Sequence, residues 1–261
     1  MTVDRGHRSP ENGLVQLYHK WFEIVYCNTP ELIEQAFRLR YQVYCLETGY
    51  FDPGANPDGM ETDEYDERSA HSILIHKPTG QVAGTVRLIL PDDSLSDGGL
   101  PARMISKDGL GMLAPSDLPI GKTAEISRFA VSKKFRRRQG DSTYPASNPD
   151  SPDSPGYDDR RVVPSITLGL MKAVVEMGKH HGITHVCAVV EPALLRLLRQ
   201  LGITFYKAGK AVEYHGVRQP VYRDFDSWSA SIYEQRPEIW ELITDSGRIW
   251  PLTRAESKAL A

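Results

Sequence analysis

Thr123 to Lys134 reads TAEISRFAVSKK, and this stretch decides the fold. β-Branched, aromatic and small residues carry a glutamate and an arginine along what reads as a core strand. Strict alternation puts Glu125, Ser127 and Phe129 on one face and Ile126, Arg128 and Ala130 on the other. Ionised side chains in such a run are costly to desolvate unless they pair or meet a polar ligand, so this strand lines a site. Glu125 and Arg128 are therefore the first candidates for catalysis.

Working outward, the chain after this strand has a βαβ rhythm. Residues 163–181 have helical spacing, with Ile166, Leu170, Ala173, Val174 and Met177 on one side, and 184–190 form a short buried strand. Pro192 opens a second helix that runs to Gln200 and stops at Gly202. Residues 203–206 and 211–222 read as a closing hairpin, and the stretch from Asp226, with Trp228, Trp240 and Trp250, as a helical extension packed on the domain. Upstream, 21–27 read as a first strand, and Thr29-Pro30-Glu31 supplies an N-cap, a proline at the first helical position and an early acid for a helix reaching about Glu47. Residues 71–76 and 82–90 read as antiparallel strands joined by a hairpin loop at 77–81. The segment 91–121 is an excursion, and 140–157, dense in Ser, Pro, Asp and Gly, reads as a mobile insertion. The expected division is a flexible tail at 1–20, one α/β domain at 21–225 and the extension at 226–261.

Composition sets the bounds. With 261 residues, 40% of them hydrophobic, the chain has ample material for a core without staples. Cys27, Cys45 and Cys187 are odd in number and widely spaced, which points to a reducing cytoplasm rather than a disulfide framework. The first residues lack the apolar stretch of a signal peptide, and no run approaches the ~20 apolar residues needed to cross a bilayer. A net charge of −3 argues against nonspecific nucleic-acid binding, although Lys133, Lys134, Arg136, Arg137 and Arg138 form a basic block.

Several motifs resemble the acyl-homoserine-lactone synthases, the autoinducer synthases of the GNAT superfamily. They are LRYQVY at 39–44, GMETDEYDE at 59–67, GTVRL at 84–88 and EISRFAV at 125–131, and the helix-strand-helix from Pro164 to Gly202 matches as well. The resemblance implies a GNAT-like α/β fold with a mixed, mostly antiparallel sheet flanked by helices. Carried over, it marks Arg40, Asp63, Asp66, Arg87, Glu125 and Arg128 as the family's charged residues. There are departures. Tyr50 stands in place of a usual tryptophan and Tyr44 in place of a phenylalanine, the 140–157 loop is longer, and a tail follows Tyr222. With CLETGYFDP at 45–53, these features look more like the acyltransferases found with PEP-CTERM/exosortase systems, which resemble long-chain N-acyl amino acid synthases.

Acyl transfer to an amine needs a neutral nitrogen, an aligned thioester carbonyl and donors where the oxyanion develops. The resemblance implies that the strands at 123–131 and 184–190 splay to take a pantetheine arm, with Glu125 as general base. The residues leave a second role open for Glu125, a structural ion pair with Arg40, Arg87 or Arg128. Those arginines suit the carboxylate of an amino-acid-like acceptor, with Asp63 on its amine. The alternative is a salt-bridge cluster with Asp63 and Asp66 that orders the site wall.

The basic block suits the phosphate of an acidic acyl-carrier protein better than a coenzyme A pyrophosphate, although acyl-CoA stands as the other donor. The same residues also read as a solvated surface loop. No metal and no permanently bound cofactor are expected: His180, His181 and His185 straddle a helix end and a strand, and the acids at 61–66 lack EF-hand spacing. No cysteine or serine has the partners of a nucleophile, so transfer is direct. The expected activity is N-acyl transfer from an acyl-carrier-protein thioester or acyl-CoA to a small amino-acid-like amine. The alternatives are a lactone synthase using S-adenosylmethionine, and a noncatalytic acyl-carrier or lipid-binding module.

Overall fold

The computed structural model describes residues 14–96, 98–102, 118–136 and 162–252. Within them the strands β1 (Phe22–Tyr26), β2 (Ser69–His76), β3 (Gln81–Ile89), β4 (Thr123–Val131), β5 (His185–Val190), β6 (Tyr206–Lys207), β7 (Val212–Glu213) and β8 (Val217–Asp224) follow one another in the chain. They form one open sheet in the order β1-β2-β3-β4-β5-β8-β6, with β7 paired to β8. All neighbours are antiparallel except β4 and β5, which run parallel. This is the mixed, mostly antiparallel GNAT-like sheet anticipated from the motifs.

Helices α1 (Leu14–Trp21), α2 (Pro30–Arg40), α3 (Val162–His180), α4 (Pro192–Gln200), α5 (Phe225–Gln235) and α6 (Pro237–Thr244) flank it. The hydroxyl of Thr29 accepts from the Leu32 N–H at the head of α2, with Pro30 at its first turn. Residues Tyr41–Glu47 then continue as a π-helical segment, with the Thr48 N–H reaching back to the Val43 carbonyl. The sequence reading had one helix through Glu47; the widened turns change which side chains face inward. Helix α3 lies on one face of the sheet, where Ile166, Leu170, Ala173, Val174 and Met177 are all buried in the main core with Ala124, Ile126 and Val186. Helix α2 covers the opposite face through Ala36 and Ile73, and through Leu39, Val43 and Ala130.

The structure differs from the sequence reading in two further places. Residues 14–21, read as tail up to residue 20 and as the start of a strand at Trp21, form α1, and its Tyr18 is buried against Gly169 of α3. Leu14, Tyr18 and Trp21 recur at helical spacing in a stretch too short to announce itself. The alternation assigned to β4 also fails after Ser127. Arg87 pairs with Ser127 and Thr85 with Ala130, so Arg128 and Phe129 together oppose Val86 in a β-bulge where Arg128 takes a left-handed φ of 50°. The extra residue inverts the facing beyond it: Phe129 and Val131 pack on the main core with Ile126, whereas Arg128 turns to the face of Glu125 and Ser127. At the C-terminal end, Phe225, Trp228, Ile232, Ile239, Trp240 and Ile243 belong to the same core as α3 and β5. The insertion at 140–157 lies outside the described residues.

Candidate active site

Three guanidiniums and three carboxylates meet on the α2 face of the sheet. Arg40, at the end of α2, is fully buried, donating through Nε to Glu61 at 2.6 Å and through both terminal nitrogens to Asp66 at 2.6 and 3.0 Å. Arg87 on β3 donates to Asp63 at 2.9 Å, to Asp66 at 2.6 Å and to the Ser127 hydroxyl at 2.9 Å. Arg128 donates to Glu61 at 2.7 Å and to Asp63 at 2.9 Å. The loop after Gly59 aims its acids inward by coiling on itself: the Asp63 N–H donates to the Asp66 carboxylate and the Tyr65 N–H to the Asp63 carboxylate. Burial opposes ionisation of Asp66, but the hydrogen bonds and charge of Arg40, with Arg87 beside them, outweigh it and hold its pKa at about 2. Glu61 and Asp63 are lowered by the same balance. Arg40, Arg87 and Arg128 thus each hold two protein carboxylates. Glu61, which the sequence reading passed over as one acid among four, joins Arg40 to Arg128.

Glu125 stands beside this cluster without entering it. Among the described residues it forms no ion pair; its carboxylate accepts the Ala102 N–H at 2.7 Å. Ile89 and Cys187, its neighbours across the sheet, form an apolar pocket with Leu100 and Ala102. Burial pushes its pKa up to about 7, against the pull of the Ala102 N–H and of Arg87, Arg128 and Arg68. Arg68 clamps the roof of this pocket by donating to the carbonyls of Leu90 and Gly99. The group is 5% exposed, poised to gain or lose a proton near neutrality.

Backbone pairing of β4 with β5 runs through Thr123↔His185, Ala124↔Val186 and Glu125↔Cys187 and goes no further. Beyond Glu125 no backbone pairing joins β4 from Ile126 to β5 from Ala188. The glutamate therefore sits where the seam between the two strands ends. On the site face beyond this point stand aromatic rings: Tyr44 and Phe51 pack on the Arg128 guanidinium at 5.6 and 5.0 Å, and Tyr44 stacks on Tyr50.

The basic block lies at the end of β4. The Lys133 N–H and the Arg136 side chain both bind the Glu47 carboxylate, at 2.9 and 2.8 Å. Lys134 follows in the same short turn, while Arg137 and Arg138 lie outside the described residues. The histidines near α3 go separate ways, His181 to the Tyr26 hydroxyl and His185 to Thr184. No group of three or more His, Cys, Asp or Glu side chains suited to a metal occurs among the described residues. No helix of the described residues is long and apolar enough to cross a membrane.

Residues 39–144 match the acetyltransferase (GNAT) domain family. An acyl-homoserine-lactone synthase of Vibrio anguillarum is 26% identical over 192 residues, covering 71% of this chain and 83% of its own. Among solved structures, TofI in a ternary complex with an inhibitor and MTA superposes with a TM-score of 0.54 at 20% identity, covering 84% of this chain and 98% of its own. BjaI, a CoA-dependent acyl-homoserine lactone synthase determined with SAM and isopentyl-CoA, also gives 0.54 at 20% identity, covering 92% and 98%. The likeness to these structures is one of fold.

Proposed function

We propose that this acyltransferase of the GNAT and acyl-homoserine-lactone-synthase type moves a fatty acyl group from an acyl-carrier-protein or CoA thioester directly to the amine of an amino-acid-like acceptor. The observation that carries the reading is the position and environment of Glu125, a buried carboxyl with a pKa near neutrality at the point where β4 and β5 part. An acceptor ammonium must lose a proton before it can attack, and a base poised near ambient pH does this best. Strand backbone left unpaired beyond Glu125 offers donors and acceptors to an extended pantetheine arm. Arg40, Arg87 and Arg128 act with Glu61, Asp63 and Asp66 as the wall that holds this geometry, since each arginine already holds two of these carboxylates. Lys133, Lys134 and Arg136, at the end of β4, face the donor's phosphate side.

The homology to the Vibrio anguillarum synthase favours a second reading, in which S-adenosylmethionine is the acceptor and lactone closure follows acylation. Both readings share the first chemical step. Incubation with acyl-carrier-protein and CoA thioesters against free amino acids and S-adenosylmethionine, with products read by mass, separates them. An N-acyl amino acid supports the first, an acyl-homoserine lactone the second, and thioester binding without product refutes both.

A further inference from the structure

We propose that Tyr50, Glu191 and Arg218 form a latch across the gap where β4 and β5 are no longer paired, shut in the free protein and parted by an incoming thioester. The inference rests on this gap being the thioester site. Backbone pairing ends at Glu125 and Cys187, so whatever bridges the two strands beyond that point is made of side chains. The bridge has a β4 side and a β5 side. On the β4 side, Tyr44 and Phe51 hold the Arg128 guanidinium, and the N–H groups of Tyr50 and Phe51 both donate to the Tyr44 carbonyl. This fixes the Tyr50 backbone over β4.

On the β5 side, Glu191 follows the last residue of the strand and pairs with Arg218 of β8 at 3.1 Å. Strand alternation sets Glu191 on the face of Cys187 and Val189, the face of Glu125. The Tyr50 hydroxyl crosses between the sides, donating to the same Glu191 oxygen at 3.1 Å while its ring lies under the Arg218 guanidinium. His215, at the tip of the β7–β8 hairpin, packs against both Tyr50 and Phe51 from above.

The composition of the bridge marks it as something that opens. The Arg40, Arg87 and Arg128 contacts are multiple and buried, whereas Glu191 makes its two contacts through one oxygen with its side chain 46% exposed. Contacts of that kind are readily exchanged for water, and regions held by few buried contacts open first. The hairpin tip is also built from left-handed backbone at His215 and Gly216, a tight turn that can travel as a unit. An extended pantetheine arm lying between the strands would occupy the line along which Tyr50 meets Glu191.

The test uses the full chain and the Tyr50→Phe, Glu191→Gln and Arg218→Gln variants, with a fatty acyl-carrier-protein thioester as probe. Amide hydrogen exchange of residues 50–51 and 214–218 should quicken in each variant, and in the wild type on adding the thioester. The dissociation constant for the thioester should fall by about threefold or more in Tyr50→Phe, which keeps the ring and loses only the hydroxyl. Unchanged exchange in all three variants would overturn the latch. So would faster exchange with unchanged thioester affinity, which would make the contacts purely structural. Should the wild type turn over no thioester, the functional reading fails, and the exchange response to the thioester still decides whether these residues part for it.

Discussion

A carboxyl whose folded-state pKa stands near 7, against 4.5 unfolded, costs the protein stability wherever it must ionise in the folded chain. Stability contributed by protonated Glu125 is fully present below pH 4.5 and is lost as pH rises through 7, amounting to about 3 kcal/mol when complete. Glu125→Gln should therefore unfold in urea at higher concentration than wild type at pH 8, with the gap closing below pH 4.5, while transfer falls by about 100-fold or more. A variant no more stable than wild type at pH 8 would remove the burial argument. Asp66 runs the other way: its pairing stabilises above pH 3.8 and is lost as pH falls towards 2. Asp66→Asn leaves Arg40 and Arg87 short of charge and should cost about 3–5 kcal/mol by equilibrium unfolding at neutral pH. His71, buried between these groups with its pKa pushed down to about 4 by desolvation, adds to acid sensitivity: it must charge to accept a proton, so stability falls as pH drops from 6.5 towards 4. Glu125 and Arg128 stand out in the sequence because charge inside an apolar run has few explanations, whereas Arg40 and Arg87 are marked there by the family resemblance. Glu61 does not stand out, because four acids in one short loop look alike until the fold shows which of them Arg40 and Arg128 share.

At the scale of elements, capping and periodicity announced α2, α3 and the β2–β3 hairpin, but the bulge at Arg128 left no mark. Bulges often carry glycine at the left-handed position, and here an arginine takes it, anchored by Glu61 and Asp63. Helix α3 shows a related economy in close approach. A β-carbon on Gly178 would stand 2.6 Å from the Phe225 ring, and one on Gly169 would stand 2.7 Å from Leu74 and Tyr18. Alanine is the better helix former by about 1 kcal/mol, yet Gly178→Ala should still destabilise, because the overpacking penalty of about 1–3 kcal/mol is larger. A rise in the urea midpoint for that variant would show that α5 yields easily.

For the molecule as a whole, the extension behaves as core. Trp228 is 1% exposed and packs with Phe205 and Phe225, so Trp228→Ala should cost about 3–5 kcal/mol, and tryptophan fluorescence and circular dichroism should report one shared transition. Separate transitions would make residues 226–252 an independent unit. The sequence suggests helices packed on the domain there but not their partners, since tryptophans at scattered spacing do not say what they pack against. The sheet itself consists of two antiparallel halves, β1–β4 and β5–β8, stitched together by three residue pairs and the backbone bond from Thr184 to Lys122. Such a short seam is a fulcrum. Any rotation about it would grow with distance along the strands, so Ala124 and Val186, two small side chains fully buried at the join, sit where a lever is stiffest.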